Sequence, residues 1–402
     1  MRRARTYALV LIGLYVVAWV YELRASSPPV YGDNVPIGGD YIAFHAAGRL
    51  LLTGRGDQLY DRAAVTAVQA EFLNGRVPGF YDAFRNPAFA ALPFVPLAGL
   101  DLVPGYLAWS LLSLAALWLA IWLFFNVRPD LRAHWRAVLV LVFAFAPVFF
   151  GLIDGENATV SLLLYVLIYR ALVRNQDRQA AVWAALGLFK PQLFFVFPLV
   201  LLARRSWAAL SVYVLGLLGL GTASLALVGS AGPTLWLRIV TEPESGQVLV
   251  NSWRMVSLKS FLITLVPAEP GVATGVYVAA SAVLLWLLFR QWAAARAPLS
   301  LVWTFTSLVA VLVDPHLVDY DLTVLIPAGI LAVVYAAHVR WWLVALYLLL
   351  VFRAQVPLVG DSAVQLSVLV LCVCAGLVWQ RLRPELALRP FLTPELERAS
   401  SA

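Results

Sequence analysis

The sequence is poor in charged residues and contains almost no lysine. Charged side chains make up 13% of its 402 residues, against about 25% in an average soluble domain, and hydrophobic residues make up 62%. Lysine occurs only at Lys190 and Lys259, so arginine is the usual cation and each lysine is a candidate for a specific role. This composition excludes an ordinary soluble domain and indicates an integral membrane protein.

Cysteine is equally scarce. The two cysteines, Cys372 and Cys374, lie two positions apart in one apolar segment, where side chains on a helix do not face each other. We therefore expect buried free thiols and no disulfide.

The motifs of several common chemistries are missing. The chain has no P-loop, no Gly-x-Gly-x-x-Gly after a strand, no His-Glu-x-x-His and no zinc-like spacing of cysteine and histidine. No repeat of fixed period occurs, and the cytoplasmic loops are too short to form a nucleotide-binding domain. The net charge of +7 comes from arginines between apolar runs, as the positive-inside rule predicts, and does not indicate a nucleic-acid partner.

Repeated apolar runs of roughly 18 to 25 residues predict helices that span a membrane, whereas a barrel would show alternating strands of about ten residues. With the arginine-rich loops in the cytoplasm, the chain is predicted to be an all-α polytopic protein of about twelve spans with both termini cytoplasmic. The first apolar run lacks a signal-peptide cleavage site. We expect one membrane domain over residues 1–383, with long outer loops at 25–103 and 229–270, and a disordered cytoplasmic tail at 384–402.

Two apolar stretches depart from a simple span. Residues 86–100 are too short and contain three prolines, so we expect a re-entrant or interfacial segment in the first outer loop. Residues 179–203 have arginines at both ends and Lys190-Pro191 in the middle. A lysine near mid-membrane is costly, which favours a hairpin broken at Pro191 with Lys190 at its outer, water-lined tip.

The polar stretch at residues 38–60 is the centre of the predicted outer surface. Asp40 follows two glycines and precedes an amphipathic helical run that carries His45 on its polar face. A carboxylate held on a polar loop at a membrane surface is a candidate general base. Aspartate is also a preferred helix N-cap, and Asp40 can serve in either role or in both.

Under this topology the outer side collects most of the groups that could carry chemistry. They are Asp40, His45, Asp154, Glu156, Lys190, Arg254, Lys259, Asp314, His316, Asp319 and Asp321. Structural roles are open for several of these residues. Lys190 can snorkel or pair with Asp154 or Glu156, His316 can bond a helix end, and Asp319 and Asp321 favour a helix start. A single histidine among carboxylates is a weak metal signal, so no metal site is predicted.

The order of these motifs resembles glycosyltransferase family 87, membrane enzymes of the GT-C fold that include mycobacterial mannosyltransferases of phosphatidylinositol mannosides. The resemblance covers residues 38 to about 327. Two positions depart from the family pattern: Asn86 replaces the first proline of a Pro-Pro pair, and Glu156 replaces a glutamine. The matching pieces are Gly38-Gly39-Asp40-Tyr41 with Phe44, Ala47, Gly48 and Arg49, then Leu59-Tyr60-Asp61, Arg85-Asn86-Pro87-Ala88, Gly155-Glu156-Asn157, Leu188-Phe189-Lys190-Pro191-Gln192, Asp314-Pro315-His316 and Tyr320-Asp321-Leu322.

The resemblance implies transfer of a sugar, typically mannose, from a polyprenyl-phosphate carrier to a lipid or glycan acceptor outside a bacterial cytoplasmic membrane. Asp40 would take the proton of the acceptor hydroxyl, with inversion at the anomeric carbon. Candidate ligands of the donor phosphate are Lys190, His316, Arg254 and Lys259. No cofactor is required, although a divalent cation is not excluded. Further candidate substrate-binding residues are His45, Asp154, Glu156, Asn157, Asp314 and Asp321.

Two other function classes compete with this interpretation. A transporter or flippase of lipid-linked sugars often shows broken helices at matching places in both halves, and the break at Pro191 has no evident partner. A polymerase or ligase of lipid-linked glycans would share the donor class but use an undecaprenyl-diphosphate carrier. A donor assay distinguishes them.

Overall fold

The computed structural model describes residues 2–32, 34–76, 82–241, 254–294, 296–358 and 360–383. These residues are nearly all helical. The α-helices are α1 (Arg2–Arg24), α2 (Tyr41–Leu52), α3 (Arg62–Phe72), α4 (Leu102–Val127), α5 (Trp135–Phe143), α6 (Ala146–Ile153), α7 (Ala158–Val173), α8 (Asp177–Leu186), α9 (Pro191–Phe194), α10 (Val196–Ala203), α11 (Trp207–Val228), α12 (Gly232–Thr241), α13 (Leu258–Leu265), α14 (Pro270–Ala294), α15 (Leu299–Val313), α16 (Leu325–Tyr335), α17 (Arg340–Phe352) and α18 (Leu366–Leu382).

Four helices of the described chain are long and apolar enough to cross a membrane. They are Arg5–Arg24 of α1, and α4, α11 and α14; α5 and α6, which meet at a bend of 55°, add a fifth if the pair forms one span. The count of about twelve spans is therefore not confirmed. Six other apolar helical stretches of the described chain have 10–17 residues, which is short of the roughly 20 that a straight span needs.

The two unusual apolar stretches are irregular in the structure. Residues 86–100 contain a 3-10 helix at Ala88–Phe94 followed by turns, and they provide no candidate span. In residues 179–203, α8 ends at Leu186, a 3-10 turn follows at Gly187–Phe189, and α9 starts after Lys190. Lys190 is not helical (φ −122°, ψ 72°), because a residue that precedes proline is sterically excluded from the α conformation.

The helix α15 lies at the centre of the bundle. It packs against α14, α16 and α18, and its residues from Leu301 to Val313 are all buried. Its Trp303 stacks with Phe197 and meets Tyr165 and Tyr169 of α7. The aromatic contacts of Trp303, together with the packing against α14, α16 and α18, explain why this 15-residue helix, although too short for a clear span, is fixed in the core.

The two ends of α4 are fixed by different contacts. At the carboxyl end of α4, buried Arg128 donates to Asp130, to Ser300 at the start of α15 and to Tyr335. At the other end of α4, the Tyr106 hydroxyl donates to the Leu152 carbonyl. The 26 residues of α4 separate these ends by about 39 Å, enough to reach from one membrane face to the other.

One small feature departs from the all-helical prediction. Residues Gln355–Pro357 (β1) and Ala363–Gln365 (β2) pair as a short antiparallel hairpin between α17 and α18. The outer segment predicted at 229–270 carries α12 and α13 in its described parts. The predicted tail at 384–402 lies outside the described residues.

Candidate active site

Asp40 occupies the N-cap position of α2, but its side chain does not cap the helix. Among the described residues, no hydrogen bond or ion pair engages its carboxylate. Asp61 shows the contrast, since its carboxylate accepts the Ala64 N–H at 2.8 Å and caps α3. The capping role considered for Asp40 therefore fails for its side chain, and the carboxylate is left available for chemistry.

Glycines allow the Asp40 loop to touch the loop that follows α6. The Tyr41 N–H donates to the Asp154 carbonyl at 3.0 Å. Gly155 has a φ of +61°, and a Cβ there would lie 2.5 Å from the Tyr41 Cβ. A residue with a side chain at position 155 would have a strained backbone and would collide with Tyr41, so this contact requires glycine. The contact brings Asp154 beside Asp40.

Lys190 is held by two buried carboxylates. Its ammonium lies 2.6 Å from Asp321 and 3.4 Å from Glu156, and the three residues are 6%, 4% and 6% exposed. Of the two roles left open for Lys190, the geometry shows the ion pair. Glu156 is one of its two predicted partners, whereas the other, Asp154, pairs with Arg254, and Asp321 is a partner that the sequence did not predict. The group as a whole carries one negative charge when all three side chains are ionised.

Arg254 forms a second ion pair, with Asp154. The strand-like bridge between Met255 and Val318 positions it, together with a hydrogen bond from the Asp319 N–H to the Arg254 carbonyl at 2.9 Å. Asp319 itself pairs with Arg353 at 2.6 Å. The segment predicted as the second outer loop is therefore tied to the segment that follows α15 and, through Asp154, to the Asp40 loop.

The charges around Asp40 are mostly negative. Burial, and then the charges of Asp82, Asp154 and Glu156, raise the pKa of Asp40 well above its usual range, while the guanidinium of Arg254 opposes the rise. The side chain is enclosed by protein yet still partly exposed, as expected in a recess. A carboxylate with a raised pKa binds a proton more strongly, which suits a general base that is ionised at the working pH.

His316 lies in a group of cations. Enclosure by surrounding atoms, and then the charges of Arg85, Lys259 and Lys190, lower its pKa to about 4, although the side chain keeps an exposed surface. At neutral pH it is therefore a neutral hydrogen-bonding group. Lys259, at the start of α13, has no ion-pair or hydrogen-bond partner among the residues that the structure describes.

Asp314 and Asn157 are buried next to these groups. One oxygen of Asp314 accepts the His316 backbone N–H at 2.8 Å, the other has no described partner, and burial raises the pKa of Asp314 to about 8. Asn157 is 5% exposed at the start of α7, and its Oδ1 also has no described partner. Burial raises the pKa of Asp321 to about 6 against the opposing charge of Lys190.

His45 is placed away from this cluster. It is fully buried in α2, where its ring nitrogens contact the Tyr41 hydroxyl at 3.1 Å and the Leu100 carbonyl at 3.2 Å. Burial lowers its pKa to about 4. The second contact ties α2 to the segment just before α4, so the structure gives His45 a packing role. The substrate-binding role stays a prediction.

Four residues near the site were not among the predicted site residues. Asp82 acts on Asp40, Arg85 acts on His316, and Tyr320 contacts Lys190. The Asn86 side-chain amide donates to the Phe189 carbonyl at 2.8 Å and so supports the backbone just before Lys190. Arg85, Asn86 and Tyr320 stand within motifs of the sequence, whereas no local pattern points to Asp82.

A sequence model of glycosyltransferase family 87 matches residues 84–318, which is more than half of the chain. The chain belongs to glycosyltransferase family 87. It is therefore a glycosyltransferase of a membrane family, as the motif order indicated. The match includes Lys190 and His316, but Asp40 and Tyr320 lie outside its limits. No curated protein and no solved structure matched the chain.

Proposed function

We propose that this family 87 glycosyltransferase transfers a sugar, most simply mannose, from a polyprenyl-phosphate carrier to a lipid or glycan acceptor. The observation that carries the proposal is the carboxylate of Asp40, which is recessed, unbonded among the described residues and raised in pKa. No structural role accounts for such a side chain, and a general base needs these properties.

In the proposed reaction, ionised Asp40 accepts the proton of the acceptor hydroxyl. The hydroxyl oxygen forms a bond to the anomeric carbon while the bond from that carbon to the phosphate oxygen breaks. The electron pair of the broken bond stays on the polyprenyl phosphate, and the configuration at the anomeric carbon inverts. A phosphate is already a good leaving group, so the proposed chemistry does not require a divalent cation.

The charge of the departing phosphate needs stabilisation by positioned donors. Lys190 and Arg254 already have carboxylate partners, which favours indirect roles for them. His316 and Lys259 are neighbours. Among the described residues, neither side chain is paired with a carboxylate. We therefore propose these two as the direct phosphate ligands. For Glu156 and Asp321, which the sequence predicts to bind substrate, we propose instead that they orient Lys190.

The proposed location is the extracytoplasmic face of a bacterial cytoplasmic membrane. In support, the Asp40 cluster and the buried Arg128 network lie at opposite ends of α4. The arginines near Arg128 are the cytoplasmic signal of the positive-inside rule, so the opposite end faces outward.

A transfer assay on the full-length protein in detergent tests the proposal. It supplies polyprenyl-phosphate mannose, the corresponding diphosphate-linked sugar and a panel of mannosylated lipids. We expect transfer from the monophosphate donor with an inverted linkage. Transfer from the diphosphate donor alone would instead assign a polymerase or ligase, and binding followed by vectorial movement in vesicles without transfer would assign a flippase.

Arg254→Gln should shift the pH dependence of transfer. The rate should rise with pH as Asp40 loses its proton, because only the ionised carboxylate accepts a proton. Arg254 lowers the pKa of Asp40, so its removal should move the acid limb of kcat/KM to higher pH, by about one unit. The measurement is the pH profile of both proteins beside Arg49→Gln, which removes a similarly half-buried arginine on α2. An acid limb that stays in place would contradict the assignment of that limb to Asp40.

A further inference from the structure

Tyr320 sits between the two ion-paired groups of the site. It lies in the 3-10 helix Asp319–Val324 and is 8% exposed. Its ring centre is 5.1 Å from the Lys190 ammonium and 5.7 Å from the Arg254 guanidinium, both within the range of a cation–π contact. Each cation also has a carboxylate partner, so the ring is fixed from two sides of the site.

The hydroxyl of Tyr320 is not used by the protein. It has no hydrogen-bond partner among the described residues. Its oxygen is not completely buried, so a ligand can reach it. A buried tyrosine usually finds a partner for its hydroxyl. Burial and the charges of Glu156 and Asp40 raise the pKa of Tyr320, so the group stays protonated and able to donate.

The surroundings of the hydroxyl favour a neutral, hydroxyl-rich ligand. The charges of Glu156, Asp40 and Asp321 act on the Tyr320 hydroxyl against the opposing charge of Arg254, so the carboxylates outnumber the cation and disfavour a phosphate at this position. Carboxylates and a phenol are good partners for sugar hydroxyls. The charge of Asp40 acts on Tyr320, and the Tyr320 ring contacts Lys190, whose charge also acts on His316. Tyr320 therefore adjoins both the proposed base and the group of cations around His316. In the proposed reaction the sugar lies between the base and the phosphate, which places it beside Tyr320.

We propose that the Tyr320 hydroxyl binds the transferred sugar by a hydrogen bond and so positions its anomeric carbon against Asp40. The inference rests on the proposed function. It adds to the site a residue that lies outside the part of the chain matched by the family model. It also assigns the recess between Asp40 and Lys190 to the sugar of the donor.

Tyr320→Phe tests this inference, because it deletes the hydroxyl and keeps the ring that contacts both cations. We expect the kcat/KM for the donor to fall about 10- to 100-fold, in line with the loss of one hydrogen bond in a closed site, with an unchanged thermal midpoint. Affinity for farnesyl phosphate, which has no sugar, should equal that of the wild type, whereas affinity for farnesyl-phosphate mannose should decrease.

The matched control is Tyr165→Phe, since that hydroxyl donates to the Leu193 carbonyl at 2.8 Å in the core. It should lower the thermal midpoint and leave the difference in affinity between the two farnesyl ligands intact. Normal transfer by Tyr320→Phe, or equal weakening of both farnesyl ligands, would overturn the inference alone. A wild type that neither binds nor uses either ligand would overturn the proposed donor class and the inference with it.

Discussion

Asp40→Asn is expected to lower transfer by a factor of about 10² to 10⁴ while the protein keeps its thermal stability. The amide has nearly the shape of the carboxylate but cannot accept the proton of the acceptor hydroxyl. Stability should be maintained because the Asp40 side chain makes no cap bond to α2, and because the change removes one of several mutually repelling carboxylates. The measurements are initial rates with saturating donor and the thermal midpoint in detergent.

Asp61→Ala is the matched control, because Asp61 also stands at an N-cap but does cap its helix. It should lose about 1 kcal/mol of stability and retain transfer, the reverse of the result expected for Asp40→Asn. If Asp40→Asn remained active, the base would have to be sought elsewhere in the cluster. If it lost stability instead, Asp40 would have a structural role.

Lys190→Met is expected to destabilise the protein strongly, by about 3–5 kcal/mol in the free energy of unfolding. The change removes the ammonium but leaves Glu156 and Asp321 buried without their cation. Burying a charge without a partner costs far more than a paired charge gains, so the thermal midpoint should fall. Thermal unfolding in detergent measures it.

Lys259→Met provides the control, since it removes the other lysine of the chain, which has no ion-pair partner in the part of the chain that the structure describes. It should be nearly as stable as the wild type and bind farnesyl phosphate more weakly. Restoring neutrality by adding Glu156→Gln and Asp321→Asn to Lys190→Met should recover most of the lost stability. A stable Lys190→Met with weakened phosphate binding would return Lys190 to the role of a direct donor ligand.

Local signals in the sequence were sufficient where one segment decides the outcome. The apolar content determined a helical membrane protein, and Pro191 determined the helix break at Lys190, because proline restricts the residue before it. The polar loop with Asp40 behind two glycines was also visible. Its contact with Asp154 was not, although the glycines that permit it are in the motifs.

The number of membrane spans could not be predicted from the sequence, because an apolar run does not show where a helix bends or ends. The bend of 55° between α5 and α6 and the short, fully packed α15 both arise from contacts with other helices. A buried core helix and a membrane span have the same composition, so only tertiary packing separates them.

The roles of individual charged residues were decided by pairs that are distant in the chain. Lys190 and Asp321 are 131 positions apart, and Arg254 and Asp154 are 100 apart, so no pattern of spacing connects them. For His45 the local pattern was misleading. The sequence places it on the polar face of a helix, but the packing of α4 against that face buries it. Composition and local sterics thus determined the class of protein, the candidate base and the helix break. The fold determined which charged side chains are paired and which remain available for substrate, because the free energy of an ionised side chain depends on the groups that surround it in space.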